Sequence, residues 1–139
     1  MKKILKILLL FALFISFSSK GQTVYEGNVK NKDTDFKNTN EPKNIKTTYQ
    51  LFLFDNNDYK LVIETYISDI FKGRRNLDCF TINGKWMLKD SKLTLSSNGF
   101  NNIHNYILVR NKIYLIDENG KKIKSHKLVK RIKYNLLCE

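Results

Sequence analysis

The chain has 139 residues, with 25 Lys and Arg against 13 Asp and Glu for a formal net charge of +12, and 42% of its residues are hydrophobic. That length supports one hydrophobic core and excludes two full-sized domains. Two cysteines about 60 residues apart exclude a CxxC redox pair and a zinc knuckle, and two histidines outside any HxH, HxxxH or HExxH context leave no histidine metal motif.

Met1-Lys2-Lys3-Ile4-Leu5-Lys6 makes a basic start, Ile7 to Ile15 is uninterrupted apolar sequence, and Ser16 to Gln22 turns small and polar. A basic stretch, an apolar run of about 7–15 residues and small residues at its end form the pattern of a secretory signal peptide. Ser19 and Gly21 predict a signal helix over 1–21 with cleavage after Gly21. The apolar run falls short of the ~20 residues that a spanning helix needs, so no transmembrane anchor is expected after cleavage. No cysteine lies near the cleavage region to carry an acyl anchor. The expected address is periplasmic or secreted. Residues 22–139, the expected domain, lose Lys2, Lys3, Lys6 and Lys20, so 21 basic residues face the same 13 acidic ones, a net +8. The lysines are spread along the chain and read as solvent-facing positions. Export and the lack of a known nucleic-acid motif speak against nucleic acid as a partner. In an exported chain an even cysteine pair favours a disulfide, here Cys79–Cys138, tying the C-terminal tail to the middle of the domain. Spacing alone does not establish proximity, so two free thiols are the alternative.

Thr23 to Val29 alternates as a first strand, and Lys30 to Lys43, almost wholly polar with Pro42 and one large apolar residue, Phe36, reads as a long surface loop. From Asn44 to Asp55, Tyr49, Leu51 and Leu53 alternate with Gln50, Phe52 and Phe54, so both faces carry hydrophobic groups. Asp55-Asn56-Asn57-Asp58 is a turn cluster. Tyr59 to Ile67 resumes with Tyr59, Leu61, Ile63, Thr65 and Ile67 on one face, a half-buried strand. Asp69 to Asp78 reads as a connection whose loop arginines, Arg74 and Arg75, follow Gly73. Cys79 to Ile82 is a short strand broken at Asn83-Gly84. Gly84 to Ser97 is a hairpin with Trp86 and Leu88 on one arm, Leu93 and Leu95 on the other, and Lys89-Asp90-Ser91 at the corner. Its tryptophan could bury roughly 150–250 Å². Ile103 to Val109 and Lys112 to Ile116 form another hairpin around Arg110-Asn111. Asp117-Glu118-Asn119-Gly120 is a turn, Lys121 to Lys130 closes the sheet, and Arg131 to Glu139 is ambiguous between strand and short helix. About eight short strands with turn residues between them, and no convincing helix after residue 21, predict an all-β antiparallel up-and-down meander closing into a lipocalin-like barrel.

The order of these parts resembles a known family. Pro42 to Leu53 is followed by a turn and Tyr59-Lys60-Leu61. Gly84-Lys85-Trp86 comes next with Leu93-Thr94-Leu95, then Tyr106, Lys112 through Ile123, and His126-Lys127-Leu128-Val129-Lys130. Over Thr23 to Lys130 this is similar to the N-terminal domain of the NlpE family of copper-resistance and envelope-stress lipoproteins and its lipocalin-like relatives. The resemblance implies a small barrel in the bacterial cell envelope. The family's CxxC falls on Pro42 to Ile45, where this chain has Lys43, Asn44 and no cysteine, and the family's lipid-attached cysteine is absent too. A metal or redox role, and membrane anchoring, therefore do not carry over.

No nucleophile with its base, paired carboxylates or metal cluster stands out, so no enzyme is expected. His104 could meet Met87 or His126 across strands to hold copper. A site needs three or four convergent ligands, so both histidines read as surface residues and no metal or cofactor is expected. A binding role remains. Tyr49, Leu51, Leu61, Ile63, Trp86 and Leu88 would line a barrel interior that holds a small hydrophobic or amphipathic ligand, or would simply pack as its core. The alternative is an envelope stress-sensing, inhibitor or immunity-type module. Its basic loops, Arg74, Arg75 and the run with Lys121, Lys122 and Lys124, would dock an acidic envelope protein. A monomer is expected.

Overall fold

The period-two alternation is realised strand by strand, each one pairing antiparallel with the next. The computed structural model describes residues 21–32, 44–69, 73–99 and 103–138. Its strands are β1 (Gln22–Lys32), β2 (Asn44–Phe54), β3 (Asp58–Asp69), β4 (Gly73–Lys89), β5 (Lys92–Ser97), β6 (Ile103–Val109), β7 (Lys112–Ile116) and β8 (Lys122–Arg131). They follow chain order around a closed barrel, and β8 returns to β1 where Val129 to Arg131 face Val24 to Glu26. The all-β, up-and-down, eight-stranded reading holds. Residues 1–20 and 33–43, which carry most of the signal-peptide and surface-loop readings, lie outside the described residues.

Several local readings need correction. β1 runs on through Lys30 to Lys32, which pair with β2 rather than opening the loop. The stretch after Asp69 is not a long connection. β4 begins at Gly73, and Arg74 and Arg75 stand opposite Ser68 and Ile67 in the ladder; their side chains lie outside what the structure describes. The cysteine strand is not broken at Asn83-Gly84, because β4 is continuous to Lys89 and changes partner there, from β3 to β5. The tryptophan hairpin turns on two residues, Asp90 and Ser91, both at positive φ (50° and 64°), as a type I′ turn requires. Arg131 ends β8, and residues 132–138 are neither strand nor helix. The Asp117–Gly120 turn is as expected: Asp117 Oδ1 accepts from the Asn119 and Lys121 N–H groups, and Gly120 takes φ 75°.

Gly84 carries the partner change. A Cβ there would lie 2.0 Å from the Ser96 carbonyl oxygen and 2.7 Å from Tyr59 Cε1, so only glycine lets β5 and the Tyr59 ring approach this closely. Gly27 plays a matching part on β1, opposite Tyr49 and against the Lys127 carbonyl and the Leu128 side chain. At Gly84 the Tyr59 ring covers the glycine across the ladder, so the close approach leaves no void. The inner face is filled by Tyr25, Leu51, Leu53, Tyr59, Leu61, Leu93, Leu95, Tyr106, Ile113 and Leu128.

The outer face of β2 is covered as well. Val24, Phe52 and Val62 form a small second cluster beneath Phe54, Tyr134 and Leu137, with Tyr134 edge-on to Phe52 at 5.7 Å. Gln50 points outward yet is 0% exposed. Its Nε2 donates to the Asn135 carbonyl at 2.8 Å and to Glu26 Oε2 at 3.1 Å, and its Oε1 accepts from the Leu137 N–H at 3.3 Å. The amide thus pairs with the tail backbone much as a neighbouring strand would. The disulfide joins Cys79 of β4 to Cys138, with Cα atoms 6.1 Å apart, so the tail is strapped across β1 to β4.

Two outcomes follow from this packing. Gly84→Ala lowers the unfolding free energy by about 1–3 kcal/mol, read as a lower urea midpoint, and an unchanged midpoint would show that β5 can simply shift. Cys138→Ser frees the end of the tail and costs about 2–4 kcal/mol, with limited proteolysis cutting within 132–138 in the variant and not in the parent.

Candidate functional site

At the end of the barrel where β1 begins, the interior is not filled. A cavity of about 150 Å³ opens there, lined by Thr23, Tyr25, Leu53, Asp55, Trp86, Leu88, Leu93, Leu108 and Ile113. Inward alternation on six strands supplies the apolar wall, with Tyr25 from β1 and Leu53 from β2. Trp86 and Leu88 come from β4, Leu93 from β5, Leu108 from β6 and Ile113 from β7, with Leu88 opposite Leu93 and Leu108 opposite Ile113. The indole is fixed in place: Trp86 Nε1 donates to the Phe54 carbonyl at 2.9 Å, and its backbone N–H donates to the Asn57 carbonyl at 2.8 Å. Both bonds tie β4 to the β2–β3 turn. The polar contribution is small, a Thr23 hydroxyl and the Asp55 carboxylate at the rim. Beside them Lys85 pairs with Asp58 and, chiefly through that hydrogen bond, holds the Asp58 carboxyl below its usual range.

Of the six residues read as lining the interior, the structure brings Trp86 and Leu88 together at this mouth, with Leu88 on the rim at 47% exposure. Leu51 and Leu61 lie deeper in the packed core, and Tyr49 and Ile63 pack against it. Sequence reasoning named neither Leu108 and Ile113 nor Thr23, Asp55, Tyr25, Leu53 and Leu93 as lining residues. Their inward parity was readable, but which end of each strand would stay uncovered was not. Lys121, Lys122 and Lys124 are exposed at the start of β8, towards the other end, with Lys122 Nζ 5.2 Å from the centre of the Tyr114 ring.

The histidines are partly rather than fully exposed. His104 and His126 are half-buried on the inner face, and the His126 ring centre is 5.8 Å from that of Tyr49. Met87 is exposed on the opposite face of the sheet, opposite Thr94, so it cannot join His104 around one ion. Among the described residues no three His, Cys, Asp or Glu side chains converge.

Beneath the cavity the interior is rich in phenols. Burial pushes the Tyr106 hydroxyl up to about 12, with Tyr49 and Tyr59 nearby adding to the rise, and burial raises Tyr25, Tyr49 and Tyr59 as well. The buried Tyr59 hydroxyl has no hydrogen-bond partner among the described residues. This arrangement can take an apolar group at the mouth and holds a neutral floor beneath it at any physiological pH.

No protein-family model matches the chain, and no curated protein matches it. A solved structure does: the crystal structure of the Cpx pathway activator NlpE from Escherichia coli, with a TM-score of 0.52 and 18% identity, covering 82% of this chain and 49% of that one. The fold is NlpE-like, and the chain spans about half the length of that neighbour.

The phenols give a pH test. Tyr106 ionises near 10 when unfolded and near 12 when folded, so its burial leaves stability untouched below pH 10. As pH rises from 10 to 12 the unfolded chain releases that proton first, and about 2 kcal/mol is lost. Urea unfolding across that range shows the decline, and Tyr106→Phe removes the largest share of it; an equally steep decline in the variant would assign the loss to other groups.

Proposed function

We propose that this chain is an exported, non-enzymatic binding protein of the bacterial cell envelope that holds a small hydrophobic or amphipathic ligand at the mouth of its barrel. The observation that carries the reading is the cavity at the mouth, apolar on most sides and provided with a fixed indole and one carboxylate. Pockets for whole drug-sized ligands run to roughly 300–1,000 Å³. A cavity of about 150 Å³ therefore takes one ring or the end of an alkyl chain. Export is supported by the signal pattern with cleavage after Gly21, and by the Cys79–Cys138 bridge, which suits an oxidising compartment. An NlpE-like fold fits the same location, its solved neighbour being titled an activator of the Cpx pathway. The reading needs no cofactor and no second subunit.

A second reading is favoured by the exposed run Lys121, Lys122 and Lys124, which would dock an acidic envelope protein. Native mass spectrometry of the chain purified from its own envelope separates the two. A ligand carrier shows an adduct on the order of 100–300 Da, lost when Leu108→Trp fills the cavity without lowering the melting temperature. A bare mass in both proteins, with salt-sensitive capture of one acidic protein that fails for Lys121→Gln/Lys122→Gln/Lys124→Gln, replaces the first reading by the second.

A further inference from the structure

The mouth end has a charge and surface pattern that holding a ligand does not require. Three stretches meet on one side of it: the β4–β5 turn, the β6–β7 turn and the end of β8. Backbone hydrogen bonds join them, with the Leu108 N–H donating to the Ser91 carbonyl and the Lys130 N–H to the Asn111 carbonyl, each at 2.7 Å. These stretches carry Lys89, Lys92, Arg110, Lys112, Lys130 and Arg131 against one carboxylate, Asp90. Across the mouth, Lys85 already neutralises Asp58, which leaves Asp55.

Exposed apolar side chains stand among these cations. Leu88 is 47% exposed, Val109 37%, and Ile132, between Arg131 and Lys133, is 94% exposed. The opposite end also exposes Phe80 and Ile103. There, among residues whose side chains are described, Lys46, Lys121, Lys122 and Lys124 face Asp78, Asp117 and Glu118, an excess of one. Among the residues whose side chains are described, the mouth end carries the larger positive excess beside projecting apolar groups.

We propose that the mouth end docks on an anionic lipid surface, with Leu88, Val109 and Ile132 entering the interface and the arc of cations meeting the headgroups. Apolar side chains dip into the boundary between headgroups and acyl chains while cations stay at the anionic surface, which is how peripheral proteins hold a bilayer. An acidic protein would answer the charge but not the geometry. A protein interface buries a contiguous apolar centre, whereas here the apolar residues are separate points around an open mouth, which a fluid bilayer accommodates. In this orientation the cavity opens onto acyl chains. The docking does not depend on what the cavity holds.

Trp86 lines the mouth and is the chain's single tryptophan, so its fluorescence reports which end touches lipid. The full chain is titrated with phosphatidylcholine vesicles containing about one quarter phosphatidylglycerol, and with phosphatidylcholine alone. Binding is expected only to the first. Brominated acyl chains should quench Trp86, and roughly 0.5 M salt should release the protein. Lys89→Gln/Lys92→Gln/Arg110→Gln weakens binding about tenfold or more, and Ile132→Ser weakens it too, whereas Lys121→Gln/Lys122→Gln/Lys124→Gln stays within about twofold. Absence of binding by the parent chain, equal weakening by both triple variants, or binding that leaves Trp86 unquenched would each overturn the proposal. A missing mass-spectrometric adduct would not, since that result bears on the cavity alone.

Discussion

The contact between Tyr59 and Gly84 is the constraint on which the rest of the barrel depends. β4 serves two neighbours in turn, and it can do so because at Gly84 it lies against the Ser96 carbonyl and under the Tyr59 ring, where a Cβ has no room. Beyond it the following inward residues, Trp86 and Leu88, line the mouth. The same ring, with Leu51, Leu95 and Ile113, fills the middle of the interior. An eight-stranded barrel can be filled or can hold one small ligand. Here tyrosines settle the middle in favour of filling, and the free volume is displaced to the end where β1 begins.

The outside of the barrel follows a second rule. A strand with polar groups outward needs no cover, but β2 presents Gln50, Phe52 and Phe54 outward, and leaving two aromatic rings in water forfeits several kcal/mol. The tail supplies the cover, and Gln50 makes it specific. A buried amide left without partners would be costly, so Gln50 rewards only a tail whose backbone lies in the right register. The disulfide then holds the tail end near that register. The mouth is built next to this region, since Phe54 both flanks the tail cluster and accepts the Trp86 indole bond. Tail, turn and indole are one mechanical unit.

How much of this was readable from the residues varies with the range of the interaction. Alternation from Tyr59 to Ile67, and the paired arms around Asp90-Ser91, identify strands because burial on one face has a period of two whatever lies opposite. The hydrophobicity of both faces of β2 was equally visible. What covers its outer face was not, because residues 132–138 have no regular pattern and are placed by Gln50, far away in sequence. Gly73 to Asp78 looked like a loop for a related reason. Glycine, arginines and asparagine carry little strand propensity, and their pairing is imposed by the long β3 beside them. Gly84 looked like a turn because local sequence cannot distinguish a glycine that bends from one that is merely approached closely. At the candidate site, parity predicted which side chains point inward, while the depth of each depends on stagger around the closed barrel.

That stagger also explains why the charge balance of the whole chain says little about function while its distribution says more. Lysines scattered along a sequence are scattered over a barrel only if they fall at all heights on its strands. Lys89, Lys92, Arg110, Lys112, Lys130 and Arg131 sit at or beside strand ends that an up-and-down topology brings to one rim. Residues spread over more than 40 positions of sequence thus form a single arc, held together by the two backbone bonds between neighbouring turns. An arc of positive charge in water is merely soluble. Placed around an opening with apolar residues projecting from its edge, it distinguishes one end of the molecule from the other. The cavity, the single tryptophan and the exposed Ile132 all lie at that end, so orientation towards a surface and access to the cavity are set by the same few turns.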